Sequence, residues 1–190
     1  MMTRIVAGTA GGRNLKVPKS GTRPTSERVR EALFSRLDHY GYIRNCAVLD
    51  LFAGSGALGL EAASRGASSV VCVEAAGSAA KIITDNARVT GLKITVLNQK
   101  VETYLVSQAV PTFDLIFIDP PYAYTEDELA QVLGLAVLHV AEDGMIVVER
   151  DKKSPEPQWP SGFELDDERK WGDTRVWSAI RSELGHKLDS

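Results

Sequence analysis

Apolar residues occur along this chain in short unbroken runs, separated by stretches in which they recur at helical spacing. The runs predict strands over Ala47 to Ala53, Val70 to Glu74, Ile94 to Leu97, Phe113 to Ile118 and Gly144 to Glu149. The intervening periodicity predicts helices over Leu58 to Arg65, stopped by Gly66, over Ser78 to Thr90, stopped by Gly91, and over Val101 to Ala109. A fourth covers Glu126 to Leu138, where Thr125 and Glu128 are spaced as a capping box. Upstream, Val29, Leu33, Phe34 and Leu37 form one apolar stripe on a helix that Thr25 or Ser26 caps, and Tyr40 to Asn45 lead from it into the first central strand. Strands that are apolar throughout and alternate with helices belong to a parallel sheet covered on both faces.

The two ends differ from this rhythm. Residues 4–18 read as a short β-hairpin turning at Gly11 and Gly12, too small to have a core of its own and so leaning on the main body or on a partner. Phe163 to Lys170 and Thr174 to Arg181, joined by the turn signal Trp171-Gly172-Asp173, predict an antiparallel hairpin at the end of the sheet. The expected fold is therefore α/β and Rossmann-like, a seven-stranded, mostly parallel sheet ending in an antiparallel hairpin. Residues 1–22 form a basic β-hairpin extension to a main domain over residues 23–190, and Pro155 to Pro160 is a linker within it.

Size and composition change this picture little. A chain of 190 residues with 44% hydrophobic and 25% charged side chains fits one globular domain. No segment has the ~18 apolar residues of a membrane span, and no secretory signal is visible, so a cytoplasmic location is expected. Cys46 and Cys72, next to or within strands, read as small core hydrophobes; with His39, His139 and His186 scattered, no metal site is expected.

Charge distribution matters more than the net charge of −3: residues 1–37 carry eight basic side chains against two acids, leaving 14 basic against 23 acidic in the rest. A basic arm on an acidic body can hold a polyanion locally, because charges beyond ~8 Å are largely screened.

The candidate chemistry begins at the first central strand, which runs into Gly54, Gly56 and Gly59 at G-x-G-x-x-G spacing and then into a helix. Glycines there can adopt positive φ and let a ligand lie against the backbone. The pattern also serves dinucleotide pyrophosphates, which a helix N-terminus favours. Asp50 argues otherwise, since a carboxylate near the strand end suits a cationic ligand, and S-adenosylmethionine carries an ammonium and a sulfonium but no phosphate.

A second motif, Asp119-Pro120-Pro121-Tyr122, follows the strand Phe113 to Ile118 and would face the same crevice at the carboxyl ends of the strands. Two prolines fix φ and remove two amide donors, leaving carbonyl acceptors. Asp119 adds a carboxylate, and Tyr122 offers a face on which a planar base can stack for ~1–3 kcal/mol. Two acceptors, the Asp119 carboxylate and the Pro120 carbonyl, suit an exocyclic amino group whose lone pair has to be freed from conjugation with its ring. Methyl transfer then becomes a matter of in-line positioning.

Asp50 to Gly59, the acid Glu74 closing the second strand, and Asp119-Pro120-Pro121-Tyr122 resemble the class I S-adenosylmethionine-dependent methyltransferases that act on amino groups. More narrowly, Arg4-Ile5-Val6-Ala7-Gly8 with Gly12-Arg13, then Arg23-Pro24-Thr25, Arg28-Val29-Arg30-Glu31 and Gly172-Asp173-Thr174, resemble the RsmD family of 16S rRNA guanine-N2 methyltransferases. The likeness covers Thr3 to about Leu184. It implies S-adenosylmethionine as cofactor, with Gly54 and Gly56 flooring the methionine moiety, Asp50 near its amino group, and Phe52, Gly59 and Val101 in the same site. It also implies Glu74 on the ribose hydroxyls, the usual partner at that strand end in doubly wound folds.

Asp119, Pro120 and Tyr122 take the catalytic roles. The chain departs from many relatives after the third strand, reading Asn98-Gln99-Lys100-Val101 where an acid or amide lies near the adenine, which leaves adenine recognition to backbone groups. The implied substrate is a guanine in the helix 31 loop of 16S rRNA, near the P site of assembled small ribosomal subunits. The implied RNA-facing residues are Arg4, Arg13, Arg23, Arg28 and Arg30, except that one helix arginine is open to pinning the cofactor loop or an acid on the body. A monomer with no membrane partner is expected. The alternatives are an amino methyltransferase acting on DNA adenine N6 or protein glutamine, a nicotinamide-binding oxidoreductase, and a binding-only RNA chaperone.

Overall fold

The computed structural model describes residues 2–19, 25–107 and 109–182. Two short strands, β1 (Met2–Arg4) and β2 (Asn14–Lys16), pair antiparallel. Helix α1 (Glu27–His39) follows, and then strands and helices alternate: β3 (Ala47–Leu51), α2 (Ala57–Ser64), β4 (Ser69–Val73), α3 (Gly77–Thr90), β5 (Thr95–Leu97), α4 (Val101–Leu105), β6 (Phe113–Ile118) and α5 (Glu126–Ala136). A single 3-10 turn over Val137–His139 leads into β7 (Val140–Asp151), and β8 (Phe163–Trp171) and β9 (Thr174–Arg181) close the fold. The main sheet has the order β5-β4-β3-β6-β7-β9-β8, parallel from β5 to β7 and antiparallel at β9 and β8.

Side chains alternate across the sheet and fill two cores. Leu49, Leu51, Ile116, Ile118, Ile146 and Val148 pack with α4 and α5 on one face. Val48, Cys72, Leu115, Phe117, Met145 and Val147 pack with α1, α2 and α3 on the other. Sequence order reverses between β3 and β6, which are adjacent in the sheet with Leu51 and Ile118 in register. Such a reversal opens a crevice at the carboxyl ends of the strands.

Most elements shift by only one or two residues from the sequence pattern, and three differences are larger. The strand β7 begins four residues before Gly144, and between its pairings to Phe113 and Leu115 it advances from Val140 to Met145, so the polar Glu142-Asp143-Gly144 stretch sits in a bulge. Helix α4 stops at Leu105 instead of Ala109. The N-terminal hairpin turns through residues 5–13, a wide loop, instead of pivoting only on Gly11 and Gly12.

That loop is fastened to α2. Gly8 lies so close that a Cβ there would sit 2.0 Å from the Ser64 carbonyl oxygen, and its φ is +83°. Ile5, Ala10 and Leu15 bury themselves against Ala57 and Leu60. Glu61, fully buried, accepts from Val6 N (2.8 Å) and Ala7 N (3.0 Å) and pairs with Arg65 Nε at 2.8 Å. The hairpin thus leans on the main body. Removing one partner of a buried ion pair leaves the other uncompensated, at about 3–5 kcal/mol. Glu61→Ala is expected to lower unfolding stability by about that much, and Glu61→Gln by less, as read by chemical denaturation; equal stability of Glu61→Ala and wild type would contradict this anchoring.

Candidate active site

Three alternate residues in the turn after β3 have left-handed backbone: Phe52 at φ 61°, Gly54 at 58° and Gly56 at 76°. It is held from the neighbouring strand ends. Glu74, one residue beyond β4, accepts Gly54 N on one oxygen and Ala76 N on the other, both at 2.8 Å. Asn98 Nδ2 bonds the Glu74 and Ala75 carbonyls at 2.9 Å, tying the loop after β4 to the end of β5. Asp50 accepts Gly59 N at 2.9 Å in the first turn of α2. Its carboxyl is buried, which pushes its pKa up to about 7 against the pull of that amide. Above the turn, the Phe52 ring meets Tyr124 edge-on at 5.0 Å, and the Tyr124 hydroxyl donates to Glu102.

A cavity of about 700 Å³ opens over this turn, walled by Asp50, Phe52, Gly54, Glu74, Val101 and Tyr124 among others. Its charged lining is mostly acidic: Asp50, Glu74, Glu102, Asp119 and Glu128 against Lys100. A second cavity, about 870 Å³, lies beyond β6 between the start of α1, the Asp119 turn, the end of β7 and the β8–β9 tip at Lys170 to Thr174. Thr25, Asp119 and Pro121 line both. The two cavities share a wall at Asp119.

Strand register explains the chemistry of that wall. Ile118 and Val148 are partners on adjacent parallel strands, so Asp119, just past the end of β6, and Glu149, near the end of β7, are side by side on backbones ~4.8 Å apart across the sheet. Alternation directs both toward the α1 face, where Asp50, the register partner of Phe117, also lies. Burial, then the charges of Glu149 and Asp50, push the Asp119 carboxyl well above the usual carboxylate range, with Arg150 opposing. Burial likewise raises Glu149 to about 7, opposed by its hydrogen bond from Thr25 Oγ1 (2.7 Å) and by Arg30.

The family model described as "Conserved hypothetical protein 95" matches residues 3–180. Ribosomal RNA small subunit methyltransferase D of Haemophilus influenzae is 38% identical over 157 residues, 80% of each chain. The Escherichia coli K12 protein of the same name is 34% identical over 170 residues, 87% of this chain and 83% of that one. The chain belongs to this family, the RsmD family. The solved structure of Escherichia coli yhhF, at 31% identity, superposes with a TM-score of 0.84 over 96% of this chain and 99% of that one. The seven-stranded fold is that of the class I methyltransferases.

Within this RsmD-family fold the expected site residues separate into groups. Asp50, Phe52, Gly54, Glu74 and Val101 line the first cavity, while Gly56 and Gly59 do not. A Cβ on Gly56 would lie 2.8 Å from Ile83 Cγ2, and one on Gly59 would lie 2.5 Å from Cys72 Sγ, so both are glycine because α2 is packed tightly on α3 and β4. Asp119 and Pro120 line the second cavity with Tyr122, which is 69% exposed. Cys72 is buried as expected, but Cys46 is only half-buried, its thiol donating to the Gly41 carbonyl at 3.3 Å.

Among the arginines, Arg4 is exposed and paired with Glu27 at 2.8 Å, Arg13 donates to the Val89 carbonyl at 3.0 Å, and Arg28 lines the second cavity. Arg23 lies outside the described residues. Arg30 corrects the expectation of an RNA-facing set: it is fully buried, donating from Nη2 to Thr3 Oγ1 (2.9 Å) and the Arg4 carbonyl (2.6 Å). Glu149, Thr25 and Tyr124 were not anticipated as site residues. Among the described residues no helix is long and apolar enough to cross a membrane.

The raised Asp50 carboxyl has a measurable consequence. Its folded-state pKa of about 7 lies above its ordinary 3.8, so the folded protein binds the extra proton between those values and loses stability as pH rises through them. Asp50→Asn, which keeps an acceptor for Gly59 N, is expected to gain on wild type from pH 4 to pH 7, on the order of 1 kcal/mol per pH unit. Parallel denaturation curves measure it; a constant difference between the two proteins would contradict the buried-carboxyl assignment.

Proposed function

We propose that the protein transfers a methyl group from S-adenosylmethionine to the N2 amino group of a guanine in 16S rRNA, in the helix 31 loop of assembled small ribosomal subunits. The observation that carries this reading is the shared wall: a cavity fit for the methyl donor and a cavity fit for a base meet at Asp119.

The first cavity fits the cofactor by its donor set. Gly54 leaves its floor open, since a Cβ there would meet only the Phe52 carbonyl oxygen at 3.9 Å. Glu74 would accept from the ribose hydroxyls, Phe52 and Val101 would flank the adenosine, and Asp50 would sit near the ammonium. The five carboxyl groups against one lysine oppose the two phosphates of a nicotinamide dinucleotide and suit a cation that has none. Bound there, S-adenosylmethionine supplies an electrophilic methyl group on its sulfonium.

Gaining a methyl group, the substrate amine gives up one hydrogen as a proton. The Asp119 carboxylate accepts a hydrogen bond from that amine, and the pKa raised by its burial, and further by the charges of Glu149 and Asp50, makes it a stronger base than an exposed aspartate. The Pro121 carbonyl is used by Tyr124 N at 2.9 Å to close the turn, so the second acceptor is the Pro120 carbonyl. Tyr122, exposed at the mouth, stacks on the base. Arg28 and Lys170 at the rim meet RNA phosphates, with Arg4 and Arg13 on the hairpin side.

Labelled S-adenosylmethionine should deliver label to N2 of one guanine in small subunits from a strain lacking that methylation, and none to fully modified subunits. Label on naked DNA or on protein, with the subunits unlabelled, would overturn the substrate assignment.

A further inference from the structure

Four acidic residues line the base cavity, and two of them, Asp119 and Glu149, are neighbours on adjacent strands. Asp119 is accounted for by the amine that reacts. Glu149 is not, yet it lines the same cavity at the end of the adjacent strand and is held there from behind: Thr25 Oγ1 donates to its Oε2 at 2.7 Å, and the buried Arg30 supplies positive charge. A carboxylate has about four lone-pair sites, and Thr25 occupies one. Holding a second acidic group beside Asp119 costs desolvation and repulsion: burial raises both carboxyls, and the charge of Glu149 adds to the rise at Asp119. A purely structural role for Glu149 would leave that cost without a return.

The base edge offers the return. Guanine presents two adjacent donors, N1–H and the N2 amino group, whereas adenine presents an acceptor at N1. Two neighbouring acceptors on strands ~4.8 Å apart match two neighbouring donors. We infer that Glu149 is the specificity-determining residue for guanine, accepting the hydrogen bond from N1–H while Asp119 accepts from the N2 amine. This rests on the base-methylation reading above. With adenine in the cavity, the N1 lone pair would face the Glu149 carboxylate, and a site whose buried acceptor is left unpaired rejects the wrong ligand strongly.

The test uses the full-length enzyme and small subunits reconstituted with 16S rRNA carrying either guanine or 2-aminopurine at the methylated position. 2-Aminopurine keeps the N2 amine but has a lone pair at N1. Wild-type kcat/KM should favour guanine, and Glu149→Gln, whose amide can donate to that lone pair, should lower the guanine-to-2-aminopurine ratio by about 10- to 100-fold, the scale of one hydrogen bond to a charged group.

Comparing ratios between enzymes cancels the different intrinsic reactivity of the two amines. S-adenosylhomocysteine affinity and unfolding midpoint, measured on both proteins, show whether the variant is folded. A Glu149→Gln enzyme that loses rate equally on both bases, with the ratio unchanged, would overturn the assignment and leave Glu149 a support for Thr25. Failure of the wild type to methylate guanine subunits would instead sink the base-methylation reading itself. Should Glu149→Gln not fold, Thr25→Val removes the donor that orients Glu149, and it should lower the same ratio with a smaller effect; an unchanged ratio there would equally count against the inference.

Discussion

Leu51 and Ile118 are register partners on adjacent parallel strands, and everything at the site follows from that pairing. It puts the left-handed turn of residues 52–56 beside the Asp-Pro-Pro-Tyr turn, at the point where strand order reverses. The next pairing outward, Ile118 with Val148, adds Glu149. No loop has to reach across the molecule to assemble Asp50, Asp119 and Glu149. A sheet fixes such distances more firmly than loops would, which is what a positioning reaction requires.

The same register concentrates negative charge, and the fold answers it with buried cations. Arg30 faces Glu61, Glu27 and Glu149 from inside the molecule, while burial lowers its own pKa. Arg150 bonds the Tyr124 carbonyl (2.9 Å) and Glu126 (2.7 Å), fixing the start of α5 beside the turn. Because Arg30 also holds Thr3 and Arg4, the N-terminal hairpin and the acidic wall are braced by one side chain. The described hairpin is therefore packed into the body of the fold and is not a loose appendage.

Much of this was legible in the chain. Unbroken apolar runs gave the sheet, Thr125 and Glu128 form the capping box their spacing implied, and Ser26 caps α1 by accepting from Val29 N. Asp50, Glu74 and Asp119 stood out because motifs surround them. Glu149 carried a fainter signal of the same kind: like Glu74 and Asp119, it is an acid directly following an apolar run. The burial of Arg30 was not legible, because its partners Thr3 and Arg4 lie 27 and 26 residues away in sequence. Nor were the packing roles of Gly56 and Gly59, whose constraints come from Ile83 and Cys72. The early start of β7 was hidden by the polar bulge at Glu142 to Gly144.

Asp119 lines both cavities, and in the proposed function it acts on the substrate and not on the methyl donor. The most direct measurement is turnover and S-adenosylhomocysteine affinity on the same Asp119→Ala preparation. The account predicts a fall in kcat of about 100-fold or more, the scale of a lost general base or charge-stabilising group, with Kd within roughly threefold of wild type. A parallel loss of affinity and turnover would place Asp119 in the donor's binding site and contradict it.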